Sequence, residues 1–340
     1  MKQLLLTTVA FLICIFSVQA ERYYVTENGQ GLGTSWEDAM SSLTTALELA
    51  QDGDEIWVAT GTYFPTQAND RDQSFEIPSG VQVLGGFAGT EETLADRDLT
   101  KGTSVLSGEI GDKENLEDNT YTIVYFEGAT STTLLNGFTI TAAYANGLVE
   151  GVDRKTCGGA IFNNGDQQFS SPQISQCIFL NNFSREGAAI YNYANEGITN
   201  PTLSDCKFLF NRSDFNGGAI FNDGNFGKCN PSIKNCLFEG NESMYGAGVL
   251  NRGLYGECKA VITNCIFLDN FSIVRGGAIY NLREGRGICD ATTSGCMFDG
   301  NGATIGNGDI EQTIKIGTEI VPAASKGSGI RKRKTSTIAY

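Results

Sequence analysis

Four acidic residues, Asp166, Glu196, Asp223 and Glu257, follow successive copies of one short phrase, one acid to each copy. Paired carboxylates are the means of acid–base chemistry on a sugar, and glycosidases need two of them about 5–10 Å apart in a cleft. Arg252 and Arg283 add candidate bases for a lyase. The chain has no histidine, which removes Ser-His-Asp and Cys-His nucleophile systems and imidazole zinc sites together. No Asp-Asp pair stands with basic residues at hydrolase spacing, and no calcium cluster stands beside a base. The acids therefore define a geometric possibility, no catalytic residue is assigned, and neither a cofactor nor a metal is expected.

Recognition is the stronger expectation. The segments 192–199, 222–228, 251–257 and 281–288 differ from one another, while the phrases before them barely change. They carry Tyr193, Phe226, Arg252, Tyr255, Arg283 and Arg286. Variable loops on a rigid scaffold are where binding usually resides, and aromatic faces flanked by Arg and carboxylates suit sugar stacking and hydroxyl hydrogen bonds. The plain alternative is that these loops are only solvated connections. The expected partner is an extracellular polysaccharide or a surface protein of a host or neighbour. A net charge of −15 argues against nucleic acid.

Cysteine offers a third chemistry. Beyond Cys14 there are nine: Cys177, Cys206, Cys236, Cys265 and Cys296 in one register, Cys229, Cys258 and Cys289 seven residues before three of these, and Cys157 alone. Inward stacks of small side chains suit a narrow interior and leave free thiols. Disulfides between neighbours are the second reading, and a metal or redox site the third. Asn-x-Ser triplets at Asn182, Asn211, Asn241 and Asn270 match a glycosylation acceptor, but their recurrence at one position reads more simply as an Asn turn. Gly306-Asn307-Gly308-Asp309 resembles a fragment of a calcium-binding nonapeptide, without its period.

What positions these residues is a repeat. Gly158-Gly159-Ala160-Ile161-Phe162-Asn163 returns at Gly187, Gly217, Gly246 and Gly276, and Cys-x-Phe-x-x-Asn returns at Cys177, Cys206, Cys236, Cys265 and Cys296, each every 29 to 31 residues. A fixed period of this size means a solenoid whose units bury their apolar sides only against neighbours. Each unit holds three strand-like runs, as in Ala219-Ile220-Phe221, Ser232-Ile233 and Cys236-Leu237-Phe238. Gln176, Asp205, Asn235, Asn264 and Gly295 precede the cysteines, and four of the five are types that tolerate a left-handed bend. Three strands per rung, stacked in parallel, make an all-β parallel β-helix. Strand-like runs at 55–59, 80–84, 122–126 and 134–141 extend it upstream, with 147–157 as an inserted loop. The body should hold about ten rungs in a rod on the order of 45 Å long.

Lys2, an apolar run over 4–16 and Val18-Gln19-Ala20 predict a signal peptide over 1–20, so the chain is expected to be secreted or held at the cell's outer surface, in association with the outer membrane. No later stretch is long and apolar enough for a membrane helix. Ser35, Asp38 and the spacing of Trp36, Met40, Leu43, Leu47 and Ala50 predict an amphipathic capping helix over 35–52. The β-helix domain is expected over 21–310, with its regular repeats over 157–310. After Ile310 the pattern is lost, and 311–340 reads as an irregular tail, basic at Arg331-Lys332-Arg333-Lys334.

The GGAI and FxxN phrases resemble repeats of the chlamydial polymorphic outer membrane proteins. Tyr23-Tyr24-Val25, Gly33-Thr34-Ser35-Trp36, residues 53–59, Gly61-Thr62-Tyr63 and residues 85–91 resemble secreted β-helix proteins of the Bacteroidetes in the pectin-lyase-like superfamily. The likeness covers about 22–305 and implies a right-handed β-helix used for surface display or adhesion. The expectation is thus a non-catalytic rod for display, adhesion or glycan binding, and the alternative is a polysaccharide lyase or glycoside hydrolase.

Overall fold

Five sheets of stacked, almost entirely parallel strands build the protein in a computed structural model that describes residues 20–316 and 319–322. In one coil they are Gln173–Ser175, Ile178–Leu180, Phe183–Glu186, Ile190–Tyr193 and Ile198–Thr199, here sheets I to V. Sheets I and IV hold nine strands each, sheet II eight, sheet III six and sheet V four. The three runs read from the sequence are sheets IV, I and II; sheets III and V are two shorter segments at the corners. Like residues pair in register from coil to coil, as in Phe179↔Phe208↔Phe238↔Phe267.

The corners explain why these residues bend the chain where they do. Gln176, Asp205, Asn235, Asn264 and Gly295 all have φ between 53° and 64° and turn sheet I into sheet II. A second lane of left-handed residues, Asn181, Phe210, Gly240, Asp269 and Gly300, turns sheet II into sheet III. Glycines 158, 187, 217, 246 and 276 turn sheet III into sheet IV, where Cβ atoms would fall 2.4–2.8 Å from the backbone or side chain of the following strand.

The interior is written by alternation. Ile174, Leu203, Ile233 and Ile262 of sheet I, and Ile161, Ile190, Ile220, Val249 and Ile279 of sheet IV, are all fully buried. The inward phenylalanines of sheet II stack face to face at 4.6–4.8 Å between centroids, each contributing about 1.5–3 kcal/mol by leaving water. Asparagines close the gaps. Asn163, Asn192, Asn222, Asn251 and Asn281 pass Nδ2–H to Oδ1 along sheet IV at 2.8–2.9 Å. The Asn182, Asn211, Asn241, Asn270 and Asn301 lane does the same at 2.8–3.0 Å while each Oδ1 also takes a backbone N–H. The triplet asparagines are therefore interior rungs of an amide ladder, all but closed to solvent.

Two expectations about the ends change. The helix is Leu43–Leu49, with Ser42 rather than Ser35 as its cap, its Oγ accepting the Thr45 N–H at 3.0 Å. Residues 35–40 instead fold back on the first strand: Met40 exchanges backbone bonds with Tyr24 and Thr26 at 3.0 Å, and Gly31 and Gly33 donate to Ala39 and Asp38. Only glycine fits there, since a Cβ at Gly31 would lie 2.3 Å from the Asp38 carbonyl oxygen. Leu43, Ala46 and Leu47 still join the interior at its N-terminal end. At the other end sheet IV does not stop at residue 310. Ile310–Ile316 pairs in parallel with Ile279–Glu284, and Glu319–Pro322 then adds antiparallel. The signal-peptide expectation (1–20, apart from Ala20) and the basic tail (326–340) lie outside the described residues. Among the described residues no helix is long and apolar enough to cross a membrane.

Candidate functional site

Sheet IV shows how one phrase builds both core and surface. In each copy of the phrase the Ile (Val249 in the fourth) and the Asn face inward, and Phe162, Tyr191, Phe221, Leu250 and Tyr280 face outward. They form a second buried cluster there with Cys157, against which Tyr125, Val152, Tyr193 and Tyr245 pack. The next position outward reads Asn164, Tyr193, Asp223, Arg252, Leu282. Asp223 is thus a strand residue and fully buried, with Arg252 directly beside it. Arg252 Nε and Nη2 donate to the two Asp223 oxygens at 3.0 and 2.7 Å, and Tyr191 Oη donates to Oδ2 at 2.8 Å. The guanidinium also lies 5.1 Å from the Phe221 centroid. Burial opposes the Arg252 charge, but the Asp223 carboxylate outweighs it and pushes the group up, so Arg252 is fixed as a cation and not as a base. Burial and Asp223 hold the Tyr191 phenol well above its ordinary range.

The four acids fall in four different lanes, although Glu196 and Glu257 line one groove. Asp223 faces an arginine. Asp166 accepts from Asn195, which in turn accepts from Asn225, at 2.7 and 3.0 Å. Glu196 sits in the corner lane, and Glu257 lies in sheet V opposite Lys228, held by Lys259 at 2.7 Å and Asn230 at 2.9 Å. The acids stand at different offsets from the end of their strands, so stacking the coils puts them in separate lanes.

Three of the six candidate binding residues do come together. The corner between sheets IV and V is a third left-handed lane, Gln167, Glu196, Phe226, Tyr255, Gly285, with φ of 51–59°. Phe226 and Tyr255 stack there at 5.1 Å and 14°, and remain 56% and 55% exposed. The Tyr255 ring continues over Gly285, where a Cβ would fall 2.4 Å from a ring carbon. Beside the pair runs an open groove lined by Glu196, Lys228, Glu257 and Arg286 together with Ile198 and Ile288. Tyr193 lies elsewhere, in a second groove with Tyr125, Phe162, Asp153, Arg154 and Asp166. Burial and the nearby Asp166 and Asp223 push its phenol up to about 12. Arg283 is exposed on the last regular strand, in register with Gly253. The second groove was not foreseen; its far wall is the inserted segment, tied down by Arg154–Glu76 and Lys155–Asp72 pairs at 2.9 Å.

The nine cysteines of the described residues are all free thiols, eight of them buried. Burial pushes Cys177 up to about 11 and Cys157 up to about 12, so both stay protonated and unreactive near neutral pH. Cys296, in the last Cys-x-Phe coil, is partly open. Among these nine, a thiol-specific disulfide reagent at pH 8 should label Cys296 alone in the folded protein and the other eight only after unfolding. Rapid labelling of a second native thiol would contradict the interior packing.

Stacked coils, parallel in-register sheets and a ladder-filled interior define a parallel β-helix protein. The chain belongs to the family described as protein of unknown function (DUF1565), which matches residues 28–254. Residues 264–282 match the Chlamydia polymorphic membrane protein repeat, in agreement with the resemblance of the GGAI phrases. Among solved structures the chain is similar to a rhamnogalacturonan lyase, at 12% identity and a TM-score of 0.36 over 80% of this chain and 84% of that one. It is also similar to the pectin methylesterase from Aspergillus niger, at 14% identity and a TM-score of 0.32 over 85% and 87%. No curated protein matches it.

Proposed function

We propose that the protein is an exported, non-catalytic β-helix rod that binds extracellular glycan along the corner between sheets IV and V. One observation carries this reading: two bulky aromatic residues occupy left-handed backbone positions in adjacent coils and yet stay more than half exposed. A left-handed conformation costs a side-chain-bearing residue roughly 1–2 kcal/mol, and rings this open return little of that to the core. Gly285 shows that the lane accepts glycine. Strain kept where stability gains little supports a role in recognition; Phe210 is also left-handed and 54% exposed, but among the described residues only at this corner do two such rings stack in adjacent coils. The stacked rings offer a sugar a flat apolar face, and Lys228, Glu257 and Arg286 flank it with hydroxyl partners.

The test is retention of purified protein on a polysaccharide panel, scored alongside new reducing ends. Retention without cleavage is expected. Phe226→Gly and Tyr255→Ala should each weaken retention about tenfold, and Phe226→Gly should at the same time raise stability by about 1 kcal/mol as the left-handed strain is relieved. New reducing ends would overturn the non-catalytic reading in favour of a lyase or hydrolase, and undiminished binding by both variants would remove the corner as the site.

A further inference from the structure

Between Ser104–Ser107 and Val124–Glu127 the chain leaves the rod in a loop pinched at its neck, where Thr120 N–H donates to Gly108 O and Gly108 N–H to Thr141 O, both at 2.9 Å. Glu109 opens the loop and Asp118 and Asn119 close it. Each of the three has a buried oxygen without a hydrogen-bond partner: Glu109 Oε1, Asp118 Oδ1 and Asn119 Oδ1. Asn119 is fully buried, and its side chain hydrogen-bonds the Glu109 carboxyl. Its orientation is fixed, because Nδ2 donates to Ala142 O at 2.9 Å and a flipped amide would set two oxygens face to face. The other Asp118 oxygen takes the Asp112 N–H at 2.8 Å, and the nearby Arg71 guanidinium is committed to the Asn119 and Tyr144 carbonyls and the Asn146 amide.

Gly111 N–H and the Asn119 side chain reach the Glu109 carboxyl, yet one buried oxygen on each of the three residues finds no donor in the protein; an orphaned buried acceptor costs about 1–3 kcal/mol, and a cation, a proton or a water would relieve it. We propose that Glu109, Asp118 and Asn119 hold a calcium ion that ties the two ends of this loop together. Two carboxylates and an amide oxygen form a hard, all-oxygen donor set, and the exposed turn over 111–117 leaves room for the waters that complete six to eight ligands. Magnesium fits less well, because it demands near-ideal octahedral geometry. Burial, and then the Asp118 and Asp112 charges, push the Glu109 carboxyl up; the competing account is a protonated Glu109 that donates to Asn119.

Calcium chloride titrated calorimetrically into the full chain should bind at one site, with an affinity on the order of 10⁻⁴ M, typical of extracellular modules. Glu109→Gln and Asp118→Asn should each weaken binding at least tenfold. On the wild-type protein, trypsin cleavage after Lys113, exposed in the loop, should slow about fivefold in calcium relative to chelator. Should either variant fail to fold, the cleavage comparison alone decides. Absence of calcium binding, unchanged affinity in folded variants, or cleavage indifferent to calcium would overturn the site and leave Glu109 as a neutral hydrogen-bond donor.

Discussion

Asp223→Asn should destabilise the rod by about 3–5 kcal/mol, because it removes the carboxylate that grips a buried arginine and leaves only the looser charge of Glu284, 3.9 Å from Nη1. The pair is bidentate, Asp223 is fully inaccessible and the Arg252 side chain only 20% exposed, so solvent cannot take over the role of the lost carboxylate. Tyr191 loses its charged acceptor in the same step. Arg252→Met should be comparably harmful, because it strands the carboxylate instead. Replacing both, as Asp223→Leu with Arg252→Met, should recover stability to within about 1 kcal/mol of the parent, since well-packed apolar groups commonly match a buried ion pair. Urea denaturation of the single and double variants closes the cycle. Additive losses would show that the two residues are not coupled and that the outward face of sheet IV is held by its aromatic residues alone.

Asn241→Ala should cost a similar ~3–5 kcal/mol, through hydrogen bonds rather than charge. Asn241 Oδ1 accepts both the backbone and side-chain N–H of Asn211, while its Nδ2 donates to Phe208 O and Asn270 Oδ1, all within 2.8–3.0 Å. Alanine strands several buried groups at once, each worth roughly 1–3 kcal/mol. Asn301→Ala, at the end of the ladder where the residue is 8% exposed, should cost less because water can reach the freed groups. The comparison is again by urea denaturation. Equal losses at the two positions would show that the ladder is not a chain of interdependent bonds. The same burial predicts that neither Asn241 nor Asn211 is glycosylated in the folded protein.

What could be read from the sequence was whatever depends on position within one repeat. The bend before each Cys-x-Phe strand is left-handed at all five positions, including Gln176, whose residue type gave no hint of it. Gly137, at the same corner of an upstream coil between Leu134–Asn136 and Phe138–Thr141, is left-handed too, with φ of 81°. What could not be read depends on which residues meet across coils. The helical spacing of Trp36 and Met40 is real, but Met40 is claimed by Tyr24 and Thr26 of the first strand. Trp36 packs 4.8 Å from Tyr24 and 5.6 Å from Phe87, with its Nε1 donating to Glu91 O at 2.9 Å. Asp223 looked like one of four equivalent acids because counting along the loops cannot show that Arg252 is its lateral neighbour. Phe226 and Tyr255 were recognised as exposed aromatics, whereas their stacking follows from sharing one corner lane.

That corner has a consequence for how such a protein can change. Each coil places one residue at a fixed lattice point, and the series Gln167, Glu196, Phe226, Tyr255, Gly285 reads like text printed one letter per line. Duplicating or deleting a whole thirty-residue unit in frame would insert or remove a letter and leave every other line intact, because each coil depends only on the two that touch it. Recombination among the near-identical GGAI stretches would therefore rewrite the outer surface without redesigning the scaffold beneath it.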